Sequence, residues 1–258
     1  MGTPNGQHEE FIMRMAGAIF DCDGTLLDTM GLWHAMESEL ARMAGHRLTD
    51  EEVDRLCTFT LPETARFFHE EHGLGSSAAE VEALIREMAV DYYRTRATPR
   101  PGVEAFLQAL RDAGVPCAVA SSSPHFMLGP GLEESGLAEY IGPVVSVDDV
   151  GASKREPAAY DRARELLETP REQTWVFEDA AYALRCAKTA GYPTVAVWDC
   201  DESGTFEDLG ALADIAVRSF EELRLEAGQP VRRPAGYPCQ NPRPVCGNPA
   251  KSVAPCAD

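Results

Sequence analysis

Five short apolar runs in this chain each stop at a polar residue, and the later ones alternate with segments of helical periodicity. Run 15–20 stops at Asp21, 115–120 at Ser121, 144–147 at Asp148, 174–177 at Glu178 and 193–198 at Asp199. A last run, 214–217, is followed by Ser219-Phe220-Glu221-Glu222. Short buried strands alternating with helices are the pattern of βα units, so the spacing predicts an α/β fold. The expected architecture is a Rossmann-like doubly wound, mainly parallel sheet, with helices over 103–113, 157–168 and 180–190. Segment 125–136 also reads as helical, although Gly129-Pro130-Gly131 predicts a break or kink. Ligands of such sheets bind beyond the strand C-termini, so the polar clusters are expected to meet at one edge.

Residues 29–96 carry no strand pattern. Leu32, Met36, Leu40 and Met43 recur at helical spacing, and Thr49-Asp50-Glu51-Glu52 is a helix start with acidic residues in its first turn. A third helix is expected over 62–72 and a fourth over 78–94, with Val81, Leu84, Ile85, Met88 and Tyr92 on one stripe. A separate α-helical unit at 29–96 therefore interrupts an α/β unit made of 14–28 and 97–226, and Pro99-Arg100-Pro101-Gly102 marks the return. Residues 1–13 and the tail 227–258 are expected to be disordered. From 229 onward lie 7 of the 18 prolines, four Arg or Lys against one Asp, and almost no apolar periodicity.

The formal net charge of −19 argues against a nucleic-acid partner and requires a locally cationic site for any small anion. No stretch approaches the ~20 apolar residues of a membrane span. The N-terminus has no basic-then-apolar leader, and Gly6 stands where a myristoylation pattern needs a hydroxyl. Cysteines are scattered singly through the body, so reduced thiols and a cytoplasmic location are expected, with the chain a monomer or weak dimer.

Asp21 and Asp23 project to the same side of an extended chain while Cys22 points away. Two ionised carboxylates at one strand tip repel and lose hydration, so they call for a cation between them. Taken singly, the other polar clusters have plain explanations. Ser121-Ser122-Ser123 caps a helix, and Glu178-Asp179 complements a helix dipole. Lys154 stands out because the chain has three lysines against twenty arginines. Taken together, Asp21, Asp179 and the Asp23 carbonyl offer the hard oxygens that Mg²⁺ prefers. Ser121 and Lys154 would neutralise phosphoryl oxygens, Asp21 would attack phosphorus, and Asp23 would move the proton.

These residues also carry a family resemblance. Asp21-Cys22-Asp23-Gly24-Thr25-Leu26-Leu27-Asp28-Thr29 is similar over nine positions to the first motif of the haloacid dehalogenase superfamily phosphohydrolases, in the subgroup with a helical cap after the first strand. Ser121, Lys154 and Phe177-Glu178-Asp179 match the second, third and fourth motifs in order. The resemblance implies Asp21 as nucleophile through a phosphoaspartyl intermediate and Asp23 as general acid/base. It implies phosphate contacts from Ser121 and Lys154, grouped here with Thr25 and Ser122. Mg²⁺ would be held by Asp21, Asp23 and Asp179, with Glu178 at or beside the metal. Trp33 and Thr58 fall where the family's caps meet substrate.

The activity so implied is hydrolysis of a small phosphorylated metabolite, such as a sugar phosphate. Dehalogenases lack the second aspartate, and phosphonoacetaldehyde hydrolases need a cap lysine, of which 29–96 has none. A β-phosphoglucomutase-like mutase is the alternative, but its cap histidine would fall at Trp33, with His34 one residue off register. A phosphometabolite-binding regulator without turnover is the alternative of another class. The stretch after Lys154 reads Arg155-Glu156-Pro157-Ala158 in place of the family's Pro-x-Pro-Asp. Finally, His69 and His72 lie three apart on a cap helix; with no third ligand evident nearby, they read as a solvated face.

Overall fold

Strand β1 (Gly17–Phe20) is buried along its whole length, as expected of a strand with covered faces on both sides. The computed structural model describes residues 14–56, 59–199 and 205–234. The other core strands are β2 (Cys117–Ser121), β3 (Val144–Ser146), β4 (Thr174–Glu178), β5 (Thr194–Val197) and β6 (Ile215–Val217), all parallel in the order β3-β2-β1-β4-β5-β6. The chain runs from β1 outward to β3, then returns to β4 on the opposite side of β1. That reversal opens a crevice at the tip of β1, the place where such sheets bind ligands. Phe20 pairs with Val119 on one side and Phe177 on the other, so Asp21 comes level with Glu178 one residue further on.

Alternation along each strand builds two layers. Phe20 stacks on Phe177 with ring centroids 4.4 Å apart, and both join Phe106 and Phe220 on one face. Ile19 and Val176 point to the other face, against Ala159, Tyr160 and Ala163. The cap consists of α1 (Met30–Met43), α2 (Asp50–Leu56), α3 (Leu61–Arg66), a π turn at Phe67–Glu71 and α4 (Ala78–Thr95). Its own core gathers Leu32, Met36, Leu40, Phe67, Phe68 and Ile85. The core domain adds α5 (Val103–Asp112), α6 (His125–Glu134), α7 (Val147–Val150), α8 (Ala158–Leu167), α9 (Ala181–Thr189) and α10 (Phe206–Leu212). Met127 of α6 packs into the cap cluster and joins the two bodies.

Several expectations are corrected. The 227–258 tail is not structureless from its start: Leu223–Glu226 (β7) and Gln229–Arg232 (β8) form an antiparallel hairpin. Its two-residue turn has φ 51° at Ala227 and 78° at Gly228, the positive values that suit the twist of a tight hairpin. Leu223 and Pro230 are buried, and Met15 N donates to Gly228 O at 2.8 Å, so packing overrides the proline-rich composition. Residues 235–258 lie outside the described residues. Helix α6 runs unbroken through Pro130, which removes a single backbone donor while Met127, Leu128 and Leu132 stay buried. Asp148 and Asp149 sit in α7, where Asp149 Oδ2 accepts from Ser146 N at 2.8 Å in a capping box. On α4 the buried stripe is Val81, Ile85, Ala89 and Tyr93, so Tyr93 points inward where Tyr92 was expected.

Candidate active site

Asp21 leaves β1 with its N–H bonded to Phe177 O at 2.9 Å, which fixes the side chain beside the tip of β4. Lys154, from the loop after α7, donates one hydrogen bond to Asp21 Oδ1 and another to Glu178 Oε1 at 2.6 Å. Tyr160 OH donates to the same Glu178 oxygen at 2.8 Å. All of these groups are buried, Lys154 to 2% exposure. Burial works against the Lys154 ammonium, but Asp21 and Glu178 outweigh it and hold its pKa above the ordinary lysine value. The same burial pushes the Asp21 carboxyl up to about 8, with Lys154 only partly opposing and Glu178 and Asp23 adding to the rise. Asp179 is raised in the same direction, first by burial and then by Asp21 and Glu178.

Oxygens of Asp21, Glu178 and Asp179 lie within 4.8 Å of one another. Three buried carboxylates face one ammonium, so the cluster is short of positive charge and rich in hard oxygen donors. That combination fits a divalent cation of the Mg²⁺ type. The backbone is shaped for close approach at the same point. Gly24 has φ 78°, and a Cβ there would come 2.4 Å from Asp179 Oδ2. Thr25 Oγ1, grouped above with phosphate contacts, donates instead to Asp179 Oδ1 at 3.3 Å.

Asp23 is held apart from that cluster by hydroxyls. Thr29 Oγ1 and Tyr93 OH both donate to its Oδ1, the former at 2.6 Å, and Ser123 Oγ donates to its Oδ2 at 2.6 Å. Each donor comes from a different element: the cap entry, the last turn of α4 and the loop after β2. Ser121 is buried at the tip of β2, where its Oγ accepts from Ser123 N at 3.0 Å, and Ser122 beside it is exposed. Ser146 Oγ donates to Ser123 O at 3.0 Å and so fixes the loop that presents Ser123.

Two groups of residues were given no site role from the sequence. Tyr93, Thr29 and Ser123 form the Asp23 cage; the only signal for Tyr93 was its place on an amphipathic helix. Arg100, read as part of a boundary, is buried and donates to the Gly24 carbonyl, to Asp199 Oδ2 at 2.6 Å and to Trp198 O at 2.8 Å. It thereby ties the turn after Asp23 to the tip of β5. Trp33 packs partly buried against the cap core. Thr58 lies outside the described residues.

Residues 18–197 match the family model described as haloacid dehalogenase-like hydrolase. A protein of Caldanaerobacter subterraneus subsp. tengcongensis, provisionally named pyrophosphatase PpaX, is 30% identical over 72% of this chain and 82% of its own length. The validoxylamine A 7'-phosphate phosphatase of Streptomyces hygroscopicus subsp. limoneus is 28% identical over 80% of this chain and 95% of its own. Among solved structures, CbbY from Rhodobacter sphaeroides in complex with phosphate superposes with a TM-score of 0.69 at 26% identity, covering 80% of this chain and 95% of that one. The chain belongs to the haloacid dehalogenase-like hydrolases, in their phosphatase and phosphoglucomutase-like branch.

Proposed function

We propose that the protein is a Mg²⁺-dependent phosphatase that hydrolyses a small phosphorylated metabolite through a phosphoaspartyl intermediate on Asp21. The observation that carries this reading is the division of labour between Asp21 and Asp23. One carboxylate is lodged against Lys154 and beside Glu178 and Asp179; the other is caged by three hydroxyls two residues on.

Asp21, Glu178 and Asp179, with the Asp23 backbone carbonyl, would hold Mg²⁺. The bound ion would supply charge neutralisation for the phosphoryl oxygens. Lys154 adds a second positive charge next to the attacking carboxylate. An Asp21 oxygen forms a bond to phosphorus as the bond from phosphorus to the substrate oxygen breaks, and Asp23 delivers a proton to that leaving oxygen. Asp23 then takes a proton from water, whose oxygen displaces phosphate from Asp21 and restores the carboxylate. Tyr93, Thr29 and Ser123 hold the Asp23 carboxylate in register for both transfers, with Tyr93 contributed by the cap. Ser121 at the tip of β2 and Ser122 just beyond it would contact the phosphoryl group. The relatives that act on validoxylamine A 7'-phosphate and on phosphorylated carbohydrates support a small phosphorylated metabolite as substrate.

Phosphate release from a generic aryl phosphate and from a panel of phosphorylated metabolites, with and without Mg²⁺, tests the reading. Release that needs Mg²⁺ and disappears in Asp21→Asn supports it. Equal rates in the two proteins, or no release by either on any substrate, would sink it. Interconversion of hexose 1- and 6-phosphates without free phosphate would assign a mutase instead.

A further inference from the structure

The cap contains a second cluster of metal-ligating side chains, far in chemistry from the carboxylates of the active site. Ligating atoms of His46, Glu52 and His72 lie within 4.8 Å of one another. His46 comes from the connection between α1 and α2, Glu52 from the first turn of α2, and His72 from the end of the π turn. Nε2 of His46 is 3.0 and 3.1 Å from the two Glu52 oxygens, and Nε2 of His72 is 3.2 Å from Glu52 Oε1. In a tetrahedral zinc site with bonds of ~2.0–2.1 Å, neighbouring donors stand about 3.3 Å apart. Both histidine-to-glutamate separations fall close to that edge.

The carboxylate is oriented from behind. Thr49 N and Thr49 Oγ1 donate to Glu52 Oε2 at 2.7 and 3.0 Å, while Glu52 N donates to Thr49 Oγ1 at 3.2 Å. This capping box takes up Oε2 and leaves Oε1 turned toward the two imidazoles.

His72 Nε2 is buried, faces Oε1 and yet makes no hydrogen bond. A buried ring nitrogen without a hydrogen-bond partner is unfavourable. An ion between it and the carboxylate would satisfy both. The two rings stack with centroids 4.2 Å apart and planes 23° from parallel, so each must turn out of the stack for both nitrogens to meet one ion. His69, the histidine that sequence spacing pairs with His72, is not in this group, and its Nδ1 donates to Leu74 O at 2.9 Å.

We propose that His46, Glu52 and His72 form a binding site in the cap for a zinc-like divalent transition ion. The set has three protein ligands and partial exposure, which leaves a fourth position for water. Two imidazoles distinguish it from the all-oxygen cluster at Asp21, because imidazole favours zinc and its neighbours over Mg²⁺. The bound ion fastens the connection between α1 and α2 to the end of the π turn and stiffens the cap. The site is independent of the phosphatase reading.

The test uses the full chain, stripped of transition metals and kept in excess Mg²⁺ so that the carboxylate cluster is filled. Calorimetric titration with Zn²⁺ is expected to show one more equivalent for the wild type than for His46→Gln or His72→Gln. Glu52→Gln is expected to weaken that equivalent at least ~10-fold, the low end of what loss of a mere supporting residue costs. His69→Gln is expected to bind like the wild type. Anomalous scattering from zinc-soaked wild-type crystals gives a reading that needs no variant, with a peak expected between Glu52 Oε1 and the two Nε2 atoms. Equal stoichiometry and affinity in wild type and folded His72→Gln, or a zinc peak confined to other residues, would overturn the proposal.

Discussion

The hydroxyl of Tyr93, on the last turn of the cap helix α4, donates a hydrogen bond to Asp23 Oδ1 at the tip of the core sheet. A fully buried cap residue therefore reaches the carboxylate that is to carry protons. A hydrogen bond to a charged acceptor is worth roughly 1.5–3 kcal/mol. Tyr93→Phe keeps the ring's packing and removes only the donor. It is expected to lower kcat roughly 10- to 100-fold, with KM changed little and the melting midpoint lowered by the loss of that one bond. A steady-state series on wild type and variant checks this, and unchanged kcat would show that the contact does not serve Asp23.

The Tyr93 ring needs a gap to reach that position, and Gly131 supplies it. A Cβ at Gly131 would come 2.8 Å from Tyr93 Cδ1 and 3.1 Å from Leu27 Cδ1. In an exposed helix, Gly→Ala would gain about 1 kcal/mol. Here overpacking of ~1–3 kcal/mol opposes it. Gly131→Ala is expected to be destabilising by roughly 1 kcal/mol in urea denaturation and to lower kcat alongside Tyr93→Phe. A Gly131→Ala protein more stable than wild type would contradict the packing argument.

How much of this was legible in the sequence follows from where each residue sits. Asp21, Asp23, Lys154, Glu178 and Asp179 were visible because four of them stand at or just after the end of an apolar run and the lysine is rare. Parallel strands deliver run ends to one edge, so one-dimensional spacing carries three-dimensional meaning. Tyr93 was invisible because its neighbour Tyr92 fits an ideal helical stripe equally well, and a fraction of a turn decides which ring is buried. The histidine cluster was hidden for a different reason. His46 and His72 meet only through the packing of the cap, whereas spacing alone pointed to His69. The β7–β8 hairpin was missed because prolines suggested disorder, while burial of Leu223 and Pro230 decided for order.

The Asp21 pKa makes a stability prediction. Its carboxyl ionises near 3.8 in ordinary surroundings and near 8 when folded without metal. Between those values the folded state binds the extra proton, so stability is present at low pH and is lost as pH rises through the window. Asp179 acts in the same direction. Glu52, shifted the opposite way, changes stability only below about pH 4.5 and does not mask the effect. In EDTA the melting midpoint is expected to fall from pH 5 to pH 8. Added Mg²⁺ is expected to raise it, by an increment that grows with pH. A midpoint that climbs over this range in EDTA would show that the cluster is not strained by its own charge.

The central claim is that Asp21 forms the covalent bond to phosphorus. Quenching the enzyme during turnover and reducing it with borohydride converts an acyl phosphate to an alcohol at the carboxyl that carried it. Peptide mass spectrometry then identifies that residue. The account predicts reduction at Asp21 alone, dependent on substrate and absent from Asp21→Asn. Reduction at another carboxylate, or none during demonstrable phosphate release, would contradict it.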